Sequence, residues 1–332
     1  MVASVPDVLR LLVLPVLGWA AWRDVAVRRV PSRTWYPLFV LGAVLLAWDA
    51  VGHLPPSASG DVLFFVRVAV SLLLVAPIAY LFWRLGGFGG ADAKALIAIS
   101  VLLPTFPTYF LPGLTLPVVV TTLGVFSMTI LTNTVVLAAS YPVALAARNL
   151  ADGDTAIPGM LFGRRVDVAS LPTAHGRLFE DTEGFTRSGL DIDALRMYLR
   201  WRGTSLAALR ANPERARDPE GIAETRDPTD GAVDGGGVDA AAADAAGFDA
   251  AGDVDPDPDD PWGAAAFLDD IEGSAYGTSP EKLREGLAVV AERDAVWISP
   301  GIPFIVPMFL GTLLAFVYGD IVFGILGVLG VV

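Results

Sequence analysis

Two aspartates lie where a pair of carboxylates could carry out acid–base chemistry. Asp24 begins the segment DVAVRRVPSRTW after the first apolar stretch, and Asp92 lies in GGFGGADAKAL, residues 86–96, between two later apolar stretches. Two carboxylates held close together cannot both ionise cheaply, so one acts as a base and the other as an acid. Such a pair can activate water and protonate a departing group. The two residues therefore predict a hydrolytic site that needs neither a metal nor a covalent nucleophile.

Each of these aspartates also has a structural interpretation. A carboxylate at a membrane edge can cap a helix or remain hydrated in a loop, and Asp92 could meet the positive end of a helix dipole. Asn133, inside an apolar stretch, is interpreted as a residue that hydrogen-bonds between helices. The capping or loop interpretation is applied to the four aspartates near the opposite predicted face, Asp7, Asp49, Asp61 and Asp320.

Charge is divided unequally along the chain. The 332 residues are 54% hydrophobic, yet the formal net charge is −13. Residues 150–296 hold 14 basic and 30 acidic side chains, whereas the rest of the chain holds 9 basic and 6 acidic ones. The composition therefore predicts a slightly basic membrane part and a strongly acidic insertion. Because the insertion would repel phosphate, nucleic acid is not an expected partner.

The apolar part is typical of an all-α polytopic membrane protein, for which the lipid bilayer is the surrounding solvent. Crossing a bilayer takes about 20 mostly apolar residues. The proline-rich segment PTFPTYFLPG, 104–113, divides an uncharged stretch into two candidate spans. About six spans are predicted, with the insertion between the fifth and the sixth, at residues 5–22, 35–52, 63–83, 94–111, 116–147 and 301–329. The predicted domains are a membrane core at 1–149, the insertion at 150–296 and a final span region at 297–332.

Basic residues predict the orientation of these spans, since Lys and Arg concentrate in cytoplasmic loops. The loops 23–34 and 84–94 contain Arg or Lys, whereas 53–62 and 104–115 contain none. We therefore expect the two basic loops and the insertion to face the cytoplasm, and both termini to lie outside. Asp24 and Asp92 would then share the cytoplasmic side of the cell membrane.

The insertion is predicted to be uneven. Residues 157–185 mix short apolar runs with turn residues, a pattern typical of strands or a compact cap. Residues 191–203 and 279–299 carry apolar side chains at helical spacing, with Asp191 and Ser279 as N-caps. Residues 213–261 are mostly Asp, Ala, Gly and Pro, and they contain almost no large apolar side chain. We expect that segment to be disordered, because it cannot bury enough apolar surface to offset the entropy of ordering.

The two aspartate segments together resemble the archaeal branch of the prepilin peptidases, the family that also processes preflagellins. In that family a first Asp follows the first helix, ahead of an Arg-hydrophobic-Pro element, and a second lies in a G-x-G-D motif often followed by x-K. Asp24, Arg29-Val30-Pro31 and Asp92-Ala93-Lys94 match in order, spacing and predicted side. Ala91 stands where the motif has glycine, and its small side chain is expected to preserve the turn. PGIPFIVPMFLG, 300–311, also resembles the final helix of this branch.

The resemblance implies an aspartic membrane endopeptidase with Asp24 and Asp92 as its catalytic pair. The substrate would be a prepilin- or preflagellin-type precursor, whose short basic leader is removed at the cytoplasmic face while its apolar helix stays in lipid. Lys94 would stabilise the second aspartate loop or tune Asp92, or would only mark the cytoplasmic edge. Mobility of the loop glycines would bring the carboxylates together around the scissile bond, and those glycines are Gly86, Gly87, Gly89 and Gly90.

Cofactor chemistry is not expected from this sequence. Bacterial members of the family carry a cysteine tetrad that binds zinc, and they also methylate the new N-terminus. This chain has no cysteine and no recognisable glycine-rich nucleotide motif. The resemblance, which covers residues 8–148 and 297–328, therefore implies peptidase activity without a metal, a cofactor or methyltransferase activity.

Two alternative functions are kept. The first is another intramembrane aspartyl protease of the presenilin type, although the Tyr-Asp and Pro-Ala-Leu elements of that type do not occur here. The second is a non-enzymatic scaffold or a transporter, which would place ionisable residues near the middle of the membrane. The oligomeric state is not predicted.

Overall fold

The structure is a computed structural model, and most of the chain forms helices. It describes residues 3–27, 29–85, 87–222, 225–231, 250–252, 257–271, 275–301 and 304–331. In chain order the helices of these ranges are α1 (Val5–Arg10), α2 (Val13–Val27), α3 (Tyr36–Gly52), α4 (Ser59–Val70), α5 (Ala76–Arg84), α6 (Gly90–Leu102), α7 (Phe126–Ala151), α8 (Gly159–Phe162), α9 (Ile192–Trp201), α10 (Leu206–Ala211), α11 (Pro213–Arg217), α12 (Ala264–Asp269), α13 (Pro280–Glu292), α14 (Ile305–Val317) and α15 (Ile321–Val328). A π-helical turn, Ser71–Val75, joins α4 to α5.

The strands of the described residues are short and antiparallel. They are β1 (Tyr109–Leu111), β2 (Leu114–Leu116), β3 (Arg164–Asp167), β4 (Arg177–Leu178), β5 (Thr225–Arg226), β6 (Ala250–Gly252) and β7 (Ala295–Ser299). β1 and β2 form a hairpin, β5 pairs with β6, and β7 lies between β3 and β4 in a three-stranded sheet. The predicted all-α class omits these strands, but the prediction of strands or a compact cap at 157–185 is confirmed in part, since β3 and β4 lie there.

The chain divides into two compact units. Unit 1 comprises residues 1–141 and 302–332, and unit 2 comprises residues 142–301. Four helices of the described ranges are long and apolar enough to cross a membrane, which fits a polytopic membrane protein. They coincide with four of the six predicted spans, at Val5–Val27, Ser32–Gly52, Ser59–Arg84 and Phe126–Ala151.

The predicted span 94–111 is not one long helix. α6 ends at Leu102, and extended chain and the β1–β2 hairpin follow it. Pro104 explains this end, because the residue before a proline is driven out of the helical region, and Leu103 has φ −127° and ψ 52°. At 13 residues α6 is about 20 Å long, shorter than the ~30 Å hydrocarbon core.

The predicted span 301–329 is also interrupted. α14 ends at Val317 and α15 begins at Ile321, so neither helix crosses a bilayer alone. Gly319 makes the break with φ +102°, and a Cβ at this position would collide with the carbonyl oxygen of Val119. A residue with a side chain is excluded there on both conformational and steric grounds.

Unit 1 is held together where small residues let helices approach closely. A Cβ at Gly42 of α3 would lie 2.9 Å from the backbone nitrogen of Leu102 in α6. A Cβ at Gly311 of α14 would lie 2.9 Å from the backbone nitrogen of Thr134 in α7. Gly18 of α2 similarly faces the ring of Phe309 in α14. These contacts fix the relative positions of the helices that carry the candidate site.

Unit 2 has an aromatic and aliphatic core between its helices and its sheet. Tyr198 and Trp201 of α9 are fully buried and contact Phe267 of α12 edge-on. The predicted helix starts are confirmed, because Asp191 caps α9 and Ser279 caps α13 through their side chains. The pattern 279–299 contains more than a helix, since its last part forms β7.

The segment 213–261, which the sequence predicts to be disordered, is described only in part. Its described portion includes α11, a short 3₁₀ helix at Pro219–Gly221, and the β5–β6 pair. Residues 223–224, 232–249 and 253–256 lie outside the described residues, and for them disorder stays a prediction.

Candidate active site

Asp92 lies in the first turn of α6, where its carboxylate caps the helix. Its Oδ2 accepts a hydrogen bond of 3.0 Å from the backbone N–H of Gly89, the N-cap residue. A Cβ at Gly89 would lie only 2.9 Å from the same oxygen. Gly89 has φ −66°, which any residue adopts, so a side chain there is limited only by space and would displace the Asp92 carboxylate. Ala91 fits within the helical turn, half-buried.

The remaining loop glycines have other surroundings. The N–H of Gly87 donates to the carbonyl of Phe82 at 2.8 Å, which folds the loop back onto α5. A Cβ at Gly90 would make only an ordinary contact, 3.6 Å from Trp83 Nε1. Gly86 lies outside the described residues. The glycines of this segment therefore have different surroundings. The mobility predicted for the loop stays a prediction.

Phe88 attaches this loop to two neighbouring elements. Its ring lies 5.1 Å from the ring of Phe82 at the end of α5 and 4.6 Å from that of Phe304, which precedes α14. Aromatic pairs at such distances contribute beyond the area they bury. The start of α6 is thus positioned by the preceding helix, α5, and by the residue that precedes α14.

Asp24 lies in the last turn of α2 and is half-buried. The sequence interpretation placed it at the start of a loop, but α2 continues three residues further, to Val27. The extension contains no proline or glycine that would end the helix earlier. The guanidinium of Arg23 lies over the ring of Trp19, and its Nε donates to the carbonyl of Arg29 at 3.1 Å. This bond folds the chain after α2 back toward the helix.

A hydrogen bond joins the two aspartate segments. Lys94 Nζ donates to Ser32 Oγ at 2.6 Å. Lys94 follows Asp92 by two residues, and Ser32 lies in the connection that follows Asp24. The bond therefore brings the end of α2 and the start of α6 to the same end of unit 1. We call this region the Asp92 end, comprising Asp24, Ser32 and residues 89–94.

Carboxylates at the opposite end of α6 belong to a buried ion cluster. Arg10, 3% exposed, pairs with Asp7 at 2.8 Å and with Asp49. Its Nε also donates to the carbonyl of Leu102, the last residue of α6, at 3.2 Å. The Tyr109 hydroxyl donates to the carbonyl of Asp7 at 2.7 Å. We call these residues the Arg10 end. Asp7 and Asp49 therefore have a structural role, but as partners of Arg10 and not as the predicted caps or loop residues.

The other two aspartates with a structural interpretation act as helix caps. Asp61 accepts backbone N–H groups of Ser57 and Ala58 at the start of α4. Asp320, 3% exposed, caps α15 through the N–H of Phe323 and accepts the Thr129 hydroxyl at 3.0 Å. Both interpretations are confirmed, because each carboxylate satisfies groups that a helix start leaves without partners.

Asn133 bridges the interruption between α14 and α15. Its Nδ2 donates to the carbonyl of Gly319 at 2.8 Å, and its Oδ1 accepts the N–H of Ile321 at 3.0 Å. The predicted interhelical hydrogen bond is therefore confirmed. The side chain satisfies backbone groups that a broken helix would leave exposed to lipid.

Ser32 and Arg10 are the residues that the sequence interpretation missed. Ser32 stands inside the segment that resembles the family motif, but a serine in a polar loop carries no distinctive signal. Arg10 lies inside the first predicted span, and a charge within an apolar stretch indicates a buried partner. Within the described ranges, groups of three or more His, Asp or Glu arranged as metal ligands are absent.

Two family models match this chain. The family described as the type IV leader peptidases matches residues 11–143, which include Asp24, Asp92 and Lys94. The family described as the archaeal peptidase A24 C-terminus, type II, matches residues 267–321. Together they cover more than half of the chain. A comparison with curated proteins found no significant match.

The second match changes the extent of the resemblance. It begins in α12 and includes α13 and β7, whereas the resemblance seen in the sequence began at residue 297. The last part of the acidic insertion is therefore shared with other archaeal proteins of this kind. It is not an unrelated addition to this chain.

Proposed function

The chain belongs to the type IV leader peptidase family, whose members cleave the leader peptides of type IV precursors, and we propose that Asp24 and Asp92 are its catalytic pair. One observation carries the proposal. The Lys94–Ser32 hydrogen bond joins the segments of the two aspartates at one end of unit 1, within the family-matched residues. The other described aspartates of unit 1 cap helices or pair with Arg10.

The proposed reaction is hydrolysis with the two carboxylates as acid and base. One carboxylate takes a proton from water as the water oxygen adds to the scissile carbonyl. The other, protonated, donates its proton to the leaving amide nitrogen as the C–N bond breaks. Water is consumed, and one new carboxyl group and one new amine are formed. The proposal requires no cofactor and no methyltransferase step.

The proposed orientation follows from the charges at the two ends of unit 1. The connections near the Asp92 end contain Arg23, Arg33 and Arg84, which favours the cytoplasmic side. A precursor with a basic leader would then present its cleavage site to the carboxylates while its apolar helix remains in the bilayer. Both termini of the chain would lie outside.

The test is cleavage of a prepilin-type precursor by membranes that contain the native chain or a variant. Asp24→Asn and Asp92→Asn keep size and hydrogen bonding but remove the acid–base function. We expect each to reduce the cleavage rate by about 10²–10⁴-fold while the protein accumulates normally in the membrane.

Asp61→Asn is the matched control for Asp92→Asn. Both residues stand at the third position of a helix, and both accept the N–H of their N-cap residue. If capping were the only role of Asp92, the two variants would behave alike. Cleavage at the native rate by either Asp24→Asn or Asp92→Asn would overturn the proposed pair.

A further inference from the structure

Exposed apolar side chains in unit 2 are concentrated in its first part. Among its described residues, the large apolar side chains that are exposed are Val143, Leu150, Ile157, Phe162 and Phe185. The described residues from 186 to 301 contribute none. Val143 and Leu150 belong to α7, a candidate span. The three others, Ile157, Phe162 and Phe185, lie outside the span.

These three residues lie on or beside α8, and arginines lie near them: Phe162 and Phe185 contact or belong to the helix, and Ile157 precedes it by two residues. The ring of Phe185 packs against α8, since a Cβ at Gly159 would lie 2.8 Å from it. Phe162 ends α8, and the guanidinium of Arg187 lies 5.3 Å from the centre of its ring. We call this surface the α8 patch, consisting of Ile157, Phe162, Arg165, Phe185 and Arg187.

A buried asparagine attaches the α8 patch to the end of the span α7. Asn149, 2% exposed, donates from Nδ2 to the carbonyls of Met160 and Gly163, each at 2.8 Å. Its own carbonyl accepts the N–H of Asp154 at 2.8 Å. The patch is therefore fixed to the last turn of α7 by hydrogen bonds on both sides of α8, and not by a loose connection.

The length of α7 places its last turn at a membrane surface. Its 26 residues extend about 39 Å, whereas the hydrocarbon core is about 30 Å thick. Arg148, which lies in the last turn and is exposed, marks the level of the headgroups. The α8 patch, which is hydrogen-bonded to Asn149, therefore lies within reach of the lipid headgroups.

The charges of the α8 patch differ from those of the insertion around it. Arg148 pairs with Asp152 at 3.7 Å and Arg165 with Asp154 at 3.5 Å, and both guanidinium groups are more than half exposed, whereas Asp154 is partly buried. Exposed pairs of this kind contribute little and exchange partners readily. The arginines can therefore interact with lipid phosphates, and the apolar side chains with the acyl boundary, as in interfacial protein segments.

We propose that the α8 patch docks unit 2 onto the anionic headgroup layer of the membrane that α7 crosses. Ile157, Phe162 and Phe185 enter the boundary between headgroups and acyl chains, while Arg165 and Arg187 bind lipid phosphates. The contact holds the acidic insertion against a membrane surface that would otherwise repel it, because both carry negative charge.

The absence of cysteine from the chain makes a direct test possible. Ile157→Cys and Phe162→Cys each create a single site for an environment-sensitive fluorophore in the full-length protein. Ala207→Cys on α10 is the control, because that helix exposes no large apolar side chain. Each labelled protein is placed in nanodiscs of phosphatidylcholine, with or without phosphatidylglycerol, that contain a lipid with a nitroxide on its headgroup.

In the anionic discs we expect the labels at 157 and 162 to be quenched at least about twofold more strongly than the label at 207. Without phosphatidylglycerol the excess quenching should fall. Adding Arg165→Gln and Arg187→Gln to Ile157→Cys should lower it in the anionic discs as well. Size-exclusion chromatography confirms that each variant remains monodisperse.

Three results would overturn the proposal. Quenching at both patch positions equal to that at 207 would place the α8 patch in water. Shielding from aqueous iodide without quenching by the lipid nitroxide would show that protein covers the patch. Equal lipid quenching in both disc compositions, unchanged by the arginine substitutions, would exclude recognition of anionic headgroups.

Discussion

The Arg10 end and the Asp92 end of unit 1 use the same residue type for different purposes. At the Arg10 end, two carboxylates pair with one buried guanidinium, which also binds the last carbonyl of α6. At the Asp92 end, both aspartates are half-buried, and a lysine on one segment reaches a serine on the other. The two ends therefore differ in the contact that joins their segments, which is an ion cluster at the Arg10 end and a lysine–serine hydrogen bond at the Asp92 end.

This difference shows how a membrane peptidase can hold acidic residues at both ends of one helix. Asp7 and Asp49 are half-buried and paired with the buried Arg10, and this cluster ties α6 to α1 and α3. For Asp24 and Asp92 we propose proton exchange with a substrate. The Arg10 cluster thus stabilises the packing of unit 1, whereas the proposed catalytic pair lies at its other end.

The largest expected effect is on stability, at the Arg10 end. Arg10→Met removes the cation and leaves Asp7 and Asp49 partly buried without it. Breaking such a cluster costs about 3–5 kcal/mol, so the apparent melting temperature in detergent should fall strongly. Precursor cleavage per folded molecule should be retained. Arg33→Met, which removes an exposed guanidinium, should leave the melting temperature nearly unchanged.

Neutralising the partners provides the control for this prediction. Adding Asp7→Asn and Asp49→Asn to Arg10→Met removes the uncompensated charges, and part of the lost stability should return. An Arg10→Met protein as stable as the native chain would show that the cluster does not hold unit 1 together.

The next effect is on activity, at the Asp92 end. Gly89→Ala introduces a methyl group 2.9 Å from Asp92 Oδ2 and must displace that carboxylate. Misplacing a catalytic group by about 1 Å can reduce the cleavage rate by about 10²-fold. Gly90→Ala, whose methyl group has 3.6 Å to its nearest neighbour, should retain cleavage. The measurement is the initial cleavage rate at equal amounts of membrane-inserted enzyme.

Comparing Gly89→Ala with Gly90→Ala distinguishes a need for space beside Asp92 from a need for flexibility of the loop. If Gly90→Ala lost as much activity as Gly89→Ala, the flexibility of the whole loop would matter more than the room beside Asp92. If both variants cleaved at the native rate, the Asp92 carboxylate would not occupy the position seen in the structure when it takes part in cleavage.

The smallest expected effect concerns the hydrogen bond that joins the two segments. Ser32→Ala or Lys94→Met should each reduce the cleavage rate severalfold, because one hydrogen bond contributes about 0.5–1.5 kcal/mol. The double variant should be no slower than the slower single variant, since both remove the same contact. Ser140→Ala, which removes a hydroxyl bonded within its own helix, should have no effect. Additive losses would show that Lys94 acts separately from Ser32.

Local sequence patterns predicted many elements of this fold correctly. Four spans, the capped starts of α9 and α13, and the interhelical role of Asn133 follow from apolar length, spacing and residue type. The errors lie at Pro104 and Gly319, where the apolar pattern continues but the backbone cannot. At Gly319 the carbonyl oxygen of Val119 lies too close for any side chain. The sequence pattern does not show this contact, because it depends on how distant segments pack.

The amino-acid sequence alone identifies a membrane protein of the leader peptidase family, with candidate aspartates in the segments that match the family motifs. Composition and short motifs are properties of the local sequence, so they can be recognised without knowledge of the fold. Which carboxylates are neutralised became visible only once the helices were packed. Arg10 meets Asp49 and Leu102, and Lys94 meets Ser32, across long intervals of chain. Such contacts depend on how helices pack, and packing is a property of the whole unit.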